Sequence, residues 1–101
     1  MSKARVGING FGRIGRLVVR NAVNNPYFEV VAVNDLANLE VMAYMFKYDS
    51  AFGPFDGTVE VVDNNLVING KTIRFTSERD PANLPWQDQA VDYAVECTGI
   101  F

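Results

Sequence analysis

Three glycines near the amino terminus have the spacing of a phosphate-binding turn. Gly10, Gly12 and Gly15 stand in the pattern Gly-x-Gly-x-x-Gly. In a dinucleotide site the first glycine allows a tight turn, the second lets the backbone approach a pyrophosphate, and the third lets a helix pack on a strand. The N–H groups of the first helical turn then face the phosphates, because the positive end of the helix dipole lies there.

A carboxylate follows at the distance that such a site requires. Asp35 lies twenty residues beyond Gly15, where a second apolar run ends in Asn34-Asp35. In a dinucleotide fingerprint this acid accepts hydrogen bonds from the adenine ribose, and it repels a 2′-phosphate. The sequence therefore predicts NAD rather than NADP. The alternative is a glycine turn that serves only helix–strand packing, with Asp35 as a solvated strand-end residue.

The elements around the motif have the order strand, helix, strand. Apolar runs at 4–9 and 28–33 predict parallel strands, and residues 13–23 between them predict a helix. Asn38 is a candidate N-cap for a second helix over 39–48. The apolar spacing predicts a buried face in each helix, formed by Ile14, Leu17, Val18 and Ala22 in the first and by Val41, Met42, Met45 and Phe46 in the second.

In the second half of the chain, the spacing of apolar residues changes to one that is typical of short strands. Short strands are predicted at 58–62, 66–68 and 71–76, and Asn69-Gly70 indicates a hairpin between the last two. A further strand is predicted at 91–97, with Trp86 before it as a packing anchor. Phe52 and Phe55, in the loop 49–57, suggest burial against another element or subunit. The fold class is α/β: an incomplete, mostly parallel Rossmann-type sheet with an antiparallel hairpin insertion.

Later strand ends supply further candidates. Arg79 follows the strand 71–76, where it could lie on an adenine ring or meet a phosphate; the alternative is a surface arginine paired with its acidic neighbours. Thr98 and Gly99 would lie near the pyrophosphate or a nicotinamide ribose, or form an ordinary strand-end turn. Cys97 has no neighbouring histidine or lysine to lower its pKa, so a packing role is expected.

Composition excludes several functions. The chain has 101 residues, which suits one domain or part of one. Its first twenty residues carry five cations and no acid, whereas the rest carries a charge of −8, so the basic patch suits a phosphate-bearing ligand but not a nucleic acid. No apolar run reaches membrane-spanning length. One cysteine indicates an intracellular, reducing compartment, and the absence of histidine excludes a Ser-His-Asp triad within this chain.

The motifs together resemble those of phosphorylating glyceraldehyde-3-phosphate dehydrogenases. The resemblance runs through the whole chain and is carried by residues 3–16, 34–36, 47–50, 78–81 and 96–101. It implies a homotetrameric, cytoplasmic enzyme of glycolysis that uses NAD and inorganic phosphate to oxidise glyceraldehyde 3-phosphate to 1,3-bisphosphoglycerate. A departure occurs at 51–54, where Ala-Phe-Gly-Pro replaces a common Thr-His-Gly followed by a basic residue.

The resemblance also assigns roles to individual residues. It implies that the backbone of Arg13 and Ile14 meets the pyrophosphate and that Asp35 binds the adenosine ribose. It places Arg79 and Phe101 at the adenine pocket, and Thr98 and Gly99 in the cofactor cleft. The cofactor-binding candidates are therefore Asn9, Gly10, Phe11, Gly12, Arg13, Ile14, Gly15, Asn34, Asp35, Arg79, Thr98, Gly99 and Phe101.

The catalytic residues of that family are expected outside this chain. Its nucleophilic cysteine, in a Ser-Cys-Thr-Thr-Asn-Cys stretch, and its activating histidine do not occur here. We therefore expect residues 1–101 to be the amino-terminal part of an NAD-binding domain, inactive alone, with no catalytic or metal-binding residue. Two alternatives stay open: a stand-alone, non-catalytic nucleotide-binding module, and part of an erythrose-4-phosphate dehydrogenase.

Overall fold

A computed structural model describes residues 3–48, 53–80, 84, 86 and 91–96. Two helices and six strands occur within these residues. In chain order they are β1 (Ala4–Asn9), α1 (Arg13–Ala22), β2 (Phe28–Asn34), α2 (Leu39–Tyr48), β3 (Val59–Val62), β4 (Asn65–Ile68), β5 (Lys71–Thr76) and β6 (Tyr93–Glu96). No described helix has the length and apolarity needed to cross a membrane.

The described strands form one mixed sheet in the order β3-β4-β5-β2-β1-β6. The strands β5, β2, β1 and β6 are parallel, whereas β3, β4 and β5 pair antiparallel. This confirms a Rossmann-type parallel sheet with an antiparallel insertion. Because parallel strands end at one edge of a sheet, the residues that follow β1, β2 and β5 come together there.

The antiparallel insertion is built from two tight turns. Asn69 and Gly70 join β4 to β5 with φ angles of 52° and 81°, and Asp63 and Asn64 join β3 to β4 with φ angles of 51° and 62°. Two consecutive left-handed residues match the twist of a hairpin, which favours asparagine, aspartate and glycine at these positions. The hairpin predicted at Asn69-Gly70 is therefore confirmed.

The buried face of α1 differs from the predicted one. Gly15, Val19 and Ala22 are its buried residues, while Leu17 and Val18 are half-buried and Ile14 is 60% exposed. The helix turns this face to the sheet because Gly15 lies against the end of β1, and the residues four and seven positions later follow on the same side. The prediction that Ile14 is buried was wrong, and the helix ends at Ala22 rather than at residue 23.

Aromatic rings connect α2 to the glycine turn and to the loop that follows α2. Phe46, fully buried, stacks with Phe11 at a ring-centroid distance of 5.8 Å and meets Phe55 at 4.8 Å. Arg20 of α1 lies over both Phe46 and Phe55 and donates to the Phe46 carbonyl oxygen. The burial expected for Phe55 is therefore provided by this chain, while Phe52 lies outside the described residues. Val41, expected on the buried face of α2, is 52% exposed.

A second apolar cluster covers the opposite face of the sheet. Val31 and Ala32 of β2 pack there with Trp86, and a Cβ at Gly7 would approach the Trp86 ring to 2.9 Å. Trp86 is thus the packing anchor that the sequence predicts, and Gly7 provides the space for its ring. Because β2 is covered on both faces, its sequence is almost entirely apolar.

Candidate functional site

The candidate site lies where β1 turns into α1. Gly10 has a φ of 100°, a conformation that glycine adopts without steric cost, and its N–H donates to the Asn34 carbonyl oxygen at 2.7 Å. A Cβ at Gly15 would overlap the Gly10 carbonyl oxygen and approach Ile8 Cγ2 to 3.2 Å. The first and third glycines of the motif therefore allow the turn and the close approach of helix and strand, as the sequence predicts.

The second glycine faces open space. Apart from its neighbours along the chain, no atom lies within 4 Å of a Cβ built at Gly12, which is exposed together with Arg13 and Ile14. Gly12 is the N-cap of α1, no side chain caps the helix, and its first turn contains no acid. The N–H groups of this turn are thus accessible to an anion, and no acidic residue of the turn itself opposes one.

The Asp35 carboxylate is held at the glycine turn by backbone donors. Asp35 Oδ2 accepts a hydrogen bond from the Phe11 N–H at 2.7 Å, and Oδ1 accepts one from the Ala37 N–H at 2.8 Å. The Asp35 N–H donates to the Thr76 carbonyl oxygen at 3.0 Å, which connects the ends of β2 and β5. Since each carboxylate oxygen has a second lone pair, the half-buried group can accept further hydrogen bonds from a ligand.

Beside Asp35, a polar network crosses the ends of the parallel strands. Asn34 Nδ2 donates to Asn9 Oδ1 at 2.9 Å, and Asn9 Nδ2 donates to the Glu96 carboxylate at 3.0 Å. Asn34 Oδ1 accepts from Thr76 Oγ1 at 2.6 Å and from the Glu78 N–H at 2.8 Å. Side chains from β6, β1, β2 and β5 are therefore joined at the same edge of the sheet.

Several of these residues line an open cleft of about 270 Å³. Predicted site residues line most of it: Asn9, Gly10, Asn34, Asp35 and Arg79, together with Leu36 and Glu78. Arg79 is exposed and lines this cleft. Phe11 is buried next to the cleft and contributes its N–H to Asp35. The candidates Thr98, Gly99 and Phe101, and also Cys97, lie outside the described residues.

Three residues of the network were not among the sequence candidates. The network includes the hydroxyl of Thr76, the backbone of Glu78 and the carboxylate of Glu96. Their position at the ends of β5 and β6 was readable from the strand predictions. Their hydrogen-bond partners could not be predicted from the sequence, because Asn34 lies more than forty residues away from both Thr76 and Glu78.

A different electrostatic arrangement occurs at the opposite end of the strands. Lys71 Nζ donates to Glu29 Oε1 at 2.8 Å, and an Arg5 guanidinium nitrogen lies 3.9 Å from Glu29 Oε2. The hydrogen bond from Lys71 lowers the pKa of Glu29; partial burial opposes this shift, and the charges of Lys71, Arg5 and Lys3 add to it.

Among the described residues, no group of histidine, cysteine, aspartate and glutamate side chains could hold a metal ion.

Comparison with known proteins finds similarity along almost the whole chain. Residues 4–101 match the family described as "Glyceraldehyde 3-phosphate dehydrogenase, NAD binding domain". The chain is 65% identical over 97 residues to the glyceraldehyde-3-phosphate dehydrogenase of Haemophilus influenzae, 62% to that of Salmonella typhimurium and 60% to glyceraldehyde-3-phosphate dehydrogenase A of Escherichia coli. Each alignment covers 96% of this chain and 29% of the relative, so the chain spans less than a third of the length of these relatives.

Proposed function

Because the chain belongs to the glyceraldehyde 3-phosphate dehydrogenase NAD-binding domain family, we propose that it binds the adenosine and diphosphate parts of NAD in the cleft at the β1–α1 turn. The observation that carries this proposal is the pairing of an open, uncapped helix start at Gly12 with a carboxylate fixed 2.7 Å from the Phe11 N–H. The first favours a diphosphate, and the second favours a ribose diol.

The residues present fit this cofactor. The absent side chain of Gly12 lets the diphosphate approach the backbone, and the N–H groups of Arg13 and Ile14 donate to it in our proposal. Asp35 accepts from the ribose hydroxyls, while Arg79 lies at the adenine. When bound, NAD supplies a hydride acceptor. The residues described here bind and orient it, and the groups that react with an aldehyde are expected elsewhere in the protein.

We further propose that the intact protein oxidises glyceraldehyde 3-phosphate with NAD and inorganic phosphate, as a homotetramer in the cytoplasm. The shared family and identities of 60–65% to dehydrogenases of that name support this. In this proposal the chain is the amino-terminal part of the cofactor domain and has no activity alone. Our proposal also includes Thr98, Gly99 and Phe101 among the residues that bind the cofactor.

The cofactor proposal is tested by calorimetric titration of the intact protein with NAD and NADP. We expect the wild type to prefer NAD, because the Asp35 carboxylate repels a 2′-phosphate. Asp35→Asn should weaken NAD binding and narrow the difference between the two cofactors. Glu60→Gln, the same charge change on the exposed strand β3, is the control and should change neither affinity. An unchanged preference in Asp35→Asn contradicts the role of Asp35.

The activity proposal is tested by comparing two aldehydes. With NAD and phosphate present, the intact protein should turn over glyceraldehyde 3-phosphate with a higher kcat/KM than erythrose 4-phosphate. The reverse ranking would identify an erythrose-4-phosphate dehydrogenase instead. NAD binding without turnover of either aldehyde would indicate a non-catalytic nucleotide-binding module.

A further inference from the structure

We propose that the buried side chain of Asn34 is a positioning residue that sets the placement of Arg79 relative to Asp35. It would thereby determine the affinity for the adenosine half of the cofactor without binding that half itself. This inference rests on the proposed binding of NAD. Asn34 is only 3% exposed, and its side chain makes four hydrogen bonds within the protein.

The Asn34 amide contacts both backbone groups of Glu78. Its Oδ1 accepts from the Glu78 N–H at 2.8 Å, and its Nδ2 donates to the Glu78 carbonyl oxygen at 2.9 Å. A backbone N–H can only donate and a carbonyl oxygen can only accept, so this pair determines the orientation of the amide. The side chain thus binds the segment after β5 as a neighbouring strand would.

The remaining two hydrogen bonds agree with that orientation. Thr76 Oγ1 donates to Asn34 Oδ1 at 2.6 Å, and Asn34 Nδ2 donates to Asn9 Oδ1 at 2.9 Å. Asn9 cannot exchange its two amide atoms without losing a favourable contact, because its Nδ2 donates to the Glu96 carboxylate. The donors and acceptors of Asn34 are therefore occupied, and its side chain has no free hydrogen for a ligand.

The sequence neighbours of the joined residues are the ones that face the ligand. Asp35 follows Asn34 directly, and Arg79 follows Glu78 directly. Both Asp35 and Arg79 line the cleft, on two different strand ends. One buried amide therefore joins the segment that carries Arg79 to the strand end that carries Asp35, and it helps to set the spacing between these two side chains. Such a spacing must be correct before binding, because reordering the segment would reduce affinity.

The test is a double-mutant cycle on the intact protein, with NAD affinity measured by calorimetry. Asn34→Leu keeps the side-chain size and neutrality but removes all four hydrogen bonds. We expect it to weaken NAD binding about tenfold in the wild-type background, because the segment that carries Arg79 is no longer held. In an Arg79→Ala background the same replacement should weaken NAD binding by less than about twofold. Asn21→Leu, on the exposed face of α1, is the matched control and should not change the affinity.

The outcomes separate this inference from the proposed function. Equal losses from Asn34→Leu in both backgrounds overturn the positioning role, and so does an Arg79→Ala variant that binds NAD as tightly as the wild type. A wild type that does not bind NAD contradicts the proposed function itself. If circular dichroism shows that Asn34→Leu does not fold, Thr76→Val takes its place in the cycle. It removes one of the two donors to Asn34 Oδ1, so a loss of about threefold is expected with Arg79 present, and an equal loss without Arg79 overturns the inference.

Discussion

The two ends of the central parallel strands are held together by different chemistry. At the carboxyl end, Asn9 and Asn34 join the strands through neutral amides, and Asn34 is almost completely buried. At the amino end, Arg5, Glu29 and Lys71 join the same strands through charged groups, and the Lys71 side chain is 64% exposed. The amide network lies beside the candidate cofactor cleft, whereas the ion pairs lie at the surface away from it.

The difference follows from what each end has to do. A buried amide with all its partners determines a unique arrangement of donors and acceptors, and the amide itself carries no charge. Exposed ion pairs are weakened by solvent and by the entropy of long side chains, so they stabilise a fold only slightly. A binding site needs the fixed geometry of the first kind. At the opposite end of the sheet, the strands need only to remain paired with one another.

The largest effect should come from Gly15, at the carboxyl end. In Gly15→Ala the new methyl group would overlap the Gly10 carbonyl oxygen, so helix and strand must separate. Overpacking of this kind against backbone costs about 3 kcal/mol. We expect a clearly lower melting temperature and loss of NAD binding. If the variant has the same melting temperature as the wild type, the helix can move away from the strand without loss of stability. That result would contradict the proposed difference between the two ends of the strands.

A smaller, purely functional effect is expected at Gly12. In Gly12→Ala the new methyl group meets no atom within 4 Å apart from its neighbours along the chain, and the φ of −80° is accessible to alanine, so the melting temperature should not fall. The methyl group would instead occupy the space through which the diphosphate approaches, and NAD affinity should fall at least about tenfold. Calorimetry and thermal melting together distinguish the two variants, because both should lose NAD affinity but only Gly15→Ala should have a lower melting temperature. Unchanged NAD affinity would mean that the diphosphate lies elsewhere.

The smallest effect is expected at the amino end. Because Lys71 lowers the pKa of Glu29 in the folded protein, the ionised carboxylate stabilises the fold above the unfolded-state pKa. This contribution is lost as the pH falls through the folded-state pKa. Glu29→Gln should therefore lower the free energy of unfolding by less than about 1 kcal/mol at pH 7. NAD affinity should not change.

The pH dependence provides the control for this prediction. The difference in unfolding free energy between wild type and Glu29→Gln should shrink in acid, below the ordinary glutamate pKa of about 4.3. Urea titrations at pH 7 and in acid measure it. A loss of NAD affinity in this variant would contradict the separation of the two ends.

Much of the fold was readable from local sequence patterns, and the exceptions have physical causes. The hairpin at Asn69-Gly70 follows from left-handed turn preferences, and the N-cap at Asn38 is confirmed by its hydrogen bonds to the N–H groups of Glu40 and Val41. Ile14 and Val41 were assigned to buried helix faces from spacing alone. They are exposed because the close contact at Gly15 rotates α1, and because α2 buries Met42, Ala43 and Phe46 instead.

By itself, the sequence determined the glycine turn, the acid at Asp35 and the α/β order of the elements. These depend on backbone freedom and on the period of apolar residues, both of which are local properties. Only the tertiary structure decided that Asp35 accepts from the Phe11 N–H and that Asn34 joins β1 to the segment before Arg79. Those contacts connect residues 24 to 44 positions apart. They exist because parallel pairing brings the strand ends to one edge, where buried polar groups must find partners.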